Sequence, residues 1–259
     1  NVQDAWTWDR LVEVARKFAK DLDGDGNPDI WGLIVEQAFE SYQLDPLLQS
    51  NGAKILSPDK STVDGYLNSP KAIEALEFYG NLFNKWQVSP KSAFQTELFG
   101  SGKAAMYWAG PWNIATFQEN FPDLNWGVMP HPYFKKMITP CGSWHTGINK
   151  RTEHPDAAAR VIAFYSSWPG IDLNYPLTTY LPVRKATYGM YDEIFGKLPW
   201  SIIRDQLMTS AVPRPRHAAW AEMVDIMRTM YEDVMLGENA KKAADLAVDR
   251  IEKILQKYN

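Results

Sequence analysis

Cysteine is nearly missing: Cys141 is the only one in 259 residues. A lone thiol allows no internal disulfide and no cysteine-based metal site. As a nucleophile it would need an activated thiolate and a histidine partner. His145 follows closely, but along an extended segment only the alternation of faces would bring the two together. Cys141 therefore reads as a small buried residue. Basic charge is also scarce. The net charge of −4 argues against nucleic acid or another polyanion as the main ligand. No apolar run approaches the roughly eighteen residues of a membrane-spanning helix. No basic-plus-apolar leader opens the chain, and Asn1 stands where a Met would begin a gene product, so the chain reads as processed or truncated. There is no phosphate loop, no Gly-x-Ser-x-Gly elbow and no His-Glu-x-x-His. His131, His145, His154 and His217 are scattered, and nothing marks a glycosidase carboxylate pair among residues such as Asp123, Glu222 and Asp225.

Aromatic side chains are abundant: 11 Trp, 12 Tyr and 11 Phe. Most must be core. A surplus of indole is also what a carbohydrate cleft requires, since sugars offer flat C–H faces for stacking and hydroxyl rims for hydrogen bonds. Helical periodicity runs over 4–20 with Thr7 as cap, then over 39–49, 71–86, 153–167, 217–236 and 239–258. A short helix is expected in 89–100, one or two in 190–210, and an irregular stretch over 169–184. Short buried strands are expected at 31–35, 104–108, 126–129 and 144–149, and Pro213 to Arg216 as an extended link. Helices alternating with isolated strands indicate α/β layers.

The most informative stretch is Gly102–Trp112, GKAAMYWAGPW. Ala104 to Trp108 is an apolar run too short for a globular helix, Gly110-Pro111 breaks it, and Trp112 and Asn113 follow just beyond. Ligands of open α/β sheets bind outside the carboxyl ends of strands. Trp112 is thus placed either to stack on a ligand or to pack in the core, whereas Trp108, inside the strand, reads as core. The stretch resembles the sugar-binding type of ABC-transporter solute-binding protein, the family of the maltose-binding protein. Thr7-Trp8-Asp9, Asn51-Gly52-Ala53, Asn125 to Val128, Gly142-Ser143-Trp144, Gly147-Ile148-Asn149, His154 to Ala158 and Arg214-Pro215-Arg216 before Trp220 follow in the family's order.

The resemblance implies a periplasmic-binding-protein-like (type II) two-lobe architecture without its amino-terminal lobe segment. Residues 1–148 would be the first part of the carboxyl-side lobe, 149–197 a segment crossing to the amino-side lobe, and 198–259 the return with the terminal helices. It implies that Trp112 and Trp220 stack on sugar and that Gly142, Ser143 and Trp144 form a turn touching ligand, with Ser143 where many relatives have glycine. Arg214 or Arg216 would fork onto hydroxyls, and Glu40 and Tyr42 would be rim contacts. The bland readings are core aromatics, surface arginines, a helix N-terminal carboxylate and a surface tyrosine.

Asp21, Asp23 and Asp25, with Gly26, Asn27 and Asp29, match the start of a calcium loop. Its twelfth position is Gly32 rather than Glu, so Glu36 or a more distant carboxylate would have to complete the shell. The alternative is a solvated turn with no cation. The functional expectation is an extracytoplasmic receptor of an ABC importer that captures a neutral sugar or oligosaccharide by hinge closure and delivers it to a membrane permease, without catalysis. A carbohydrate-active hydrolase, or a receptor for a polyamine, peptide or glycerol phosphate, is the competing reading.

Overall fold

The computed structural model describes residues 1–142, 145–178, 181–182 and 184–258, the side chains of 174–178 excepted. After a 3-10 turn at Val2–Asp4, Thr7 opens helix α1 (Trp8–Phe18) by accepting the Arg10 N–H at 3.2 Å. Strand β1 (Ile34–Val35) leads to α2 (Ser41–Ser50). Helix α3 (Pro70–Asn84) starts with Ser69 as cap and Pro70 in its first turn, where a missing N–H costs nothing. Short α4 (Thr96–Gly100) precedes β2 (Tyr107–Trp108), which pairs parallel with β1 in the register Ile34↔Tyr107 and Val35↔Trp108. Helix α5 (Asn113–Asn120) follows directly.

Beyond it, β3 (Thr139–Cys141) pairs parallel with β4 (Ala211–Pro213). Between these strands lie α6 (Pro155–Tyr165), α7 (Trp168–Thr178), α8 (Lys185–Met190), α9 (Asp192–Phe195) and α10 (Trp200–Thr209). The chain closes with α11 (Trp220–Leu236), stopped by left-handed Gly237, and α12 (Ala240–Leu255), capped by Asn239. The α/β layering is as the alternating pattern requires.

One core joins α1, α2, α3, α11 and α12, with Trp8, Tyr79 and Tyr231 fully enclosed. Burying each such ring stabilises the fold by roughly 2–3 kcal/mol. Trp108 belongs to this core, as its place inside a strand implies. A smaller cluster gathers Ile114, Tyr188, Phe195 and Trp200, so α8 and α9 rest against α5 and α10. By contrast, α6 buries none of its residues, and Val161, Phe164 and Tyr165 are about half exposed.

Several expectations are corrected. Residues 126–129 form no strand, because they face Ala105 and Met106 across a cavity of about 610 Å³ and a strand needs a neighbour at hydrogen-bonding distance. Residues 145–149 are also irregular. The stretch expected to be irregular holds α7, whose apolar residues fall all round rather than on one face and leave no periodic signal. Strands β3 and β4 escaped notice because Pro140 and Pro213 lie in them; proline is tolerated in such edge pairs where its nitrogen faces away from the ladder. Cys141, at the end of β3, is half-buried rather than buried.

Candidate functional site

The carboxyl end of β2 turns at Gly110-Pro111 and delivers Trp112 to the start of α5. A Cβ at Gly110 would lie 2.1 Å from the Trp112 ring, so the indole sits directly on the glycine backbone. Across from it, Tyr42 in the first turn of α2 places its ring centroid 6.0 Å from that of Trp112, at 52°. The Arg214 guanidinium, just past β4, lies 5.3 Å over the Tyr42 ring. Gly142, just past β3, closes the group: a Cβ there would come within 2.9 Å of Arg214 Nη2 and 3.2 Å of Tyr42 Cε2. The two parallel strand pairs thus bring Trp112, Tyr42, Gly142 and Arg214 together from four distant stretches of chain. All four were expected at the site.

Trp112 and Tyr42 line a cavity of about 600 Å³ together with Tyr107, Trp108, Phe117, Trp126, His131, Thr139 and Gln206. Its polar groups are ordered. Gln43 Nε2 donates to the Trp108 carbonyl at 2.7 Å, and Gln206 Nε2 donates to Thr139 Oγ1 at 2.9 Å. Trp108 Nε1 donates to His131 Nε2 at 3.1 Å, so the His131 proton lies on Nδ1, which donates to the Pro132 carbonyl at 2.8 Å. Burial pushes the His131 pKa down to about 4, which keeps the ring neutral.

Glu36, next after β1, holds the turn. Its Oε1 accepts from Trp112 Nε1 at 2.9 Å and from Asn113 Nδ2 at 2.6 Å. Burial raises its pKa, against the lowering effect of those donors. Glu36, one of the carboxylates that could have completed a cation shell at the acidic turn, instead lies buried beneath Trp112. The available signal was a lone carboxylate directly after a buried two-residue strand.

The other expected residues make no contact with Tyr42 or Arg214 among the described residues, although Asn113 lines the same cavity. Asn113 is buried, and its amide is taken by Glu36. Glu40 pairs with Arg228 of α11 at 3.0 Å, tying α2 to α11. Trp220 is half-buried and packs on the main core. Arg216 is exposed and joins none of the contacts around Tyr42. Ser143 and Trp144 lie outside the described residues.

At the acidic turn, Asp21, Asp23 and Asp29 bring carboxylate oxygens within 4.8 Å of one another, all exposed. Asp25 is not part of that group. Asp25 accepts the Asn27 N–H at 2.7 Å, and Asp21 accepts the N–H groups of Gly24 and Gly26 at 2.7 and 2.9 Å, which lower its pKa. A Cβ on Gly32 would lie 2.0 Å from the Ala15 carbonyl oxygen, so no ligating side chain fits at the twelfth position.

Residues 1–167 match the family model described as bacterial extracellular solute-binding protein. The maltodextrin-binding protein MdxE of Bacillus subtilis is 25% identical over 203 residues, which are 74% of this chain and 48% of that protein. An ABC-transporter solute-binding protein from Thermotoga lettingae, solved with α-D-tagatose, is 25% identical with a TM-score of 0.81, covering 97% of this chain and 65% of that one. A maltose-bound MalE3 of T. maritima, also 25% identical, has a TM-score of 0.79 and covers 97% and 66%. The chain thus spans about half the length of the curated relative and about two thirds of each of these structures. The type II periplasmic-binding-protein architecture expected from the sequence holds. With the family model covering well over half of its residues, the chain belongs to the bacterial extracellular solute-binding proteins.

Proposed function

We propose that this chain is the ligand-holding part of an extracytoplasmic receptor for an ABC importer, binding a neutral sugar or oligosaccharide. The observation that carries the reading is the pairing of Trp112 and Tyr42 on the wall of one cavity, with Arg214 over the Tyr42 ring and Gly110 and Gly142 packed closely beneath the group. Two tilted rings offer stacking faces to a pyranose, and the guanidinium offers a planar fork to adjacent hydroxyls. The ligands of the relatives, maltodextrin, maltose and tagatose, support a sugar. Residues 1–148 and 198–259 supply one lobe, and the chain leaves it at α6, whose faces are exposed; Tyr188 of α8 and Phe195 of α9 pack with Ile114 and Trp200, so that part of 149–197 rests on the first lobe. The lobes close on ligand by bending at that crossing, and the closed form docks on a membrane permease. No chemistry is performed.

The test is intrinsic tryptophan fluorescence during titration with maltose, maltotriose, tagatose and a panel of other neutral sugars, with mass spectrometry of the sugar afterwards. A saturable change with the sugar recovered intact is expected. Shortened sugar would instead favour a hydrolase. Absence of any response across the panel would overturn the sugar reading.

A further inference from the structure

We infer that Glu36 is the positioning residue of the sugar site: its carboxylate fixes the orientation in which Trp112 presents its indole. This rests on the proposed sugar-binding role of Trp112. Three constraints define the ring. Its face lies on Gly110, where no side chain fits. Its edge is held by the Nε1–H to Glu36 Oε1 bond at 2.9 Å. Its remaining flank faces Tyr42 at 6.0 Å. Of these, only the bond to Glu36 sets rotation about the ring normal, because contact with a glycine backbone resists tilt but not sliding.

Glu36 is itself well fixed. It is 4% exposed, its N–H donates to the Trp108 carbonyl at 3.1 Å, and its carbonyl accepts the Phe94 N–H at 2.7 Å. The Asn113 amide holds the same carboxylate oxygen at 2.6 Å, so that oxygen cannot swing away from the indole without losing a second buried partner. The other oxygen, Oε2, is buried and has no partner among the described residues. Carboxylates at such depth are rare unless something requires them, and an apolar residue would fill the space without the unpaired oxygen. What an apolar residue cannot do is accept from both donors of the Trp112-Asn113 turn.

The experiment uses Glu36→Leu, Glu36→Gln, Trp112→Phe and the double variant Glu36→Leu/Trp112→Phe. Near-ultraviolet circular dichroism of the ligand-free proteins is followed by calorimetric titration with maltotriose. Glu36→Gln keeps an acceptor oxygen and is expected to retain the indole band and to bind within about threefold of the parent. Glu36→Leu is expected to lose the same band that Trp112→Phe loses and to bind about tenfold or more weakly. In the double variant the Glu36 change should add nothing to the Trp112 change. Full additivity, or an unchanged indole band in Glu36→Leu, overturns the inference. The dichroism requires no ligand, so if the parent fails to bind any sugar the sugar reading falls while the orientation of Trp112 is still decided. If Glu36→Leu does not fold, the inference stands or falls on Asn113→Leu, which frees the Glu36 carboxylate and should weaken the Trp112 band, an unchanged band overturning it.

Discussion

Asp45 gives the sharpest test of the core's electrostatics. It sits on α2, 1% exposed, one helical turn beyond Tyr42. Its Oδ1 accepts from Ser41 Oγ at 2.7 Å and from Tyr231 Oη at 2.8 Å, while Oδ2 is buried without a partner among the described residues. Burial raises its pKa from 3.8 to about 7, opposed by those two hydrogen bonds and by the charge of Arg214. A carboxyl group whose folded pKa exceeds its unfolded value stabilises the fold below the unfolded pKa, and that stability is lost as pH rises through the folded one. Here the window runs from about pH 4 to about pH 7, and the loss across it is about 4 kcal/mol. Asp45→Asn keeps an oxygen for both donors and removes the charge. Urea melts of the parent and the variant at pH 4.5, 6 and 7.5 should show the parent losing stability over this range relative to the variant, with equal m-values. Above neutrality the variant should be the more stable protein. Arg214→Gln should extend the parent's loss of stability to higher pH, because it removes a cation that favours the ionised carboxylate. Parallel stability curves for the parent and Asp45→Asn would refute the reasoning.

Trp112→Ala and Tyr42→Ala should each weaken maltotriose binding by about tenfold through loss of a stacking face; calorimetry that shows either unchanged would remove that ring from the site. Gly110→Ala places a methyl group where the Trp112 ring lies and should displace the indole, seen as a changed near-ultraviolet band together with lowered affinity; a parent-like band would contradict the seating. Gly32→Ala drives a methyl into the Ala15 carbonyl and should cost about 1–3 kcal/mol in urea melts with sugar affinity in the remaining folded protein unchanged. Because Asp21 already accepts from two backbone N–H groups and the twelfth loop position is closed, Tm in EDTA is expected to match Tm in millimolar calcium within about 1 °C. A rise of several degrees in calcium would make the turn a metal site after all.

The long helices were legible because their apolar residues repeat at helical spacing and their caps are local. Thr7, Ser69 and Asn239 each accept from a backbone N–H three residues on, and Gly237 is where α11 stops. The strands were less legible, because a strand is defined by its neighbour. Residues 104–108 found one in β1, but Trp126 to Met129, with a similar apolar run, face a cavity and stay unpaired. Pro140 and Pro213 argued against strands that exist because pairing needs only one edge of each chain.

The same logic separates the site residues that came together from those that did not. Trp112 was marked by local chain geometry, a break after a strand, and such breaks survive folding; Gly142 was expected only through resemblance, since β3 before it escaped notice. Tyr42 and Arg214 were expected through resemblance, and they meet because β1–β2 and β3–β4 pair in parallel and deliver both turns to one end. Glu40 stood equally close in sequence but had a cation across the groove in Arg228, on α11, 188 residues away. No local pattern shows a partner at that separation. Glu36 reverses the case: it was considered only as a carboxylate that could complete a cation shell at the acidic turn, yet it follows two fully buried residues along an extended chain and points inward, where Trp112 and Asn113 donate to it. Whether a polar side chain serves a ligand, an ion pair or a neighbouring ring is therefore decided by which long-range partner reaches it first. That choice is made by the packing of α2 against α11 and of β1 against β2 rather than by the residue itself.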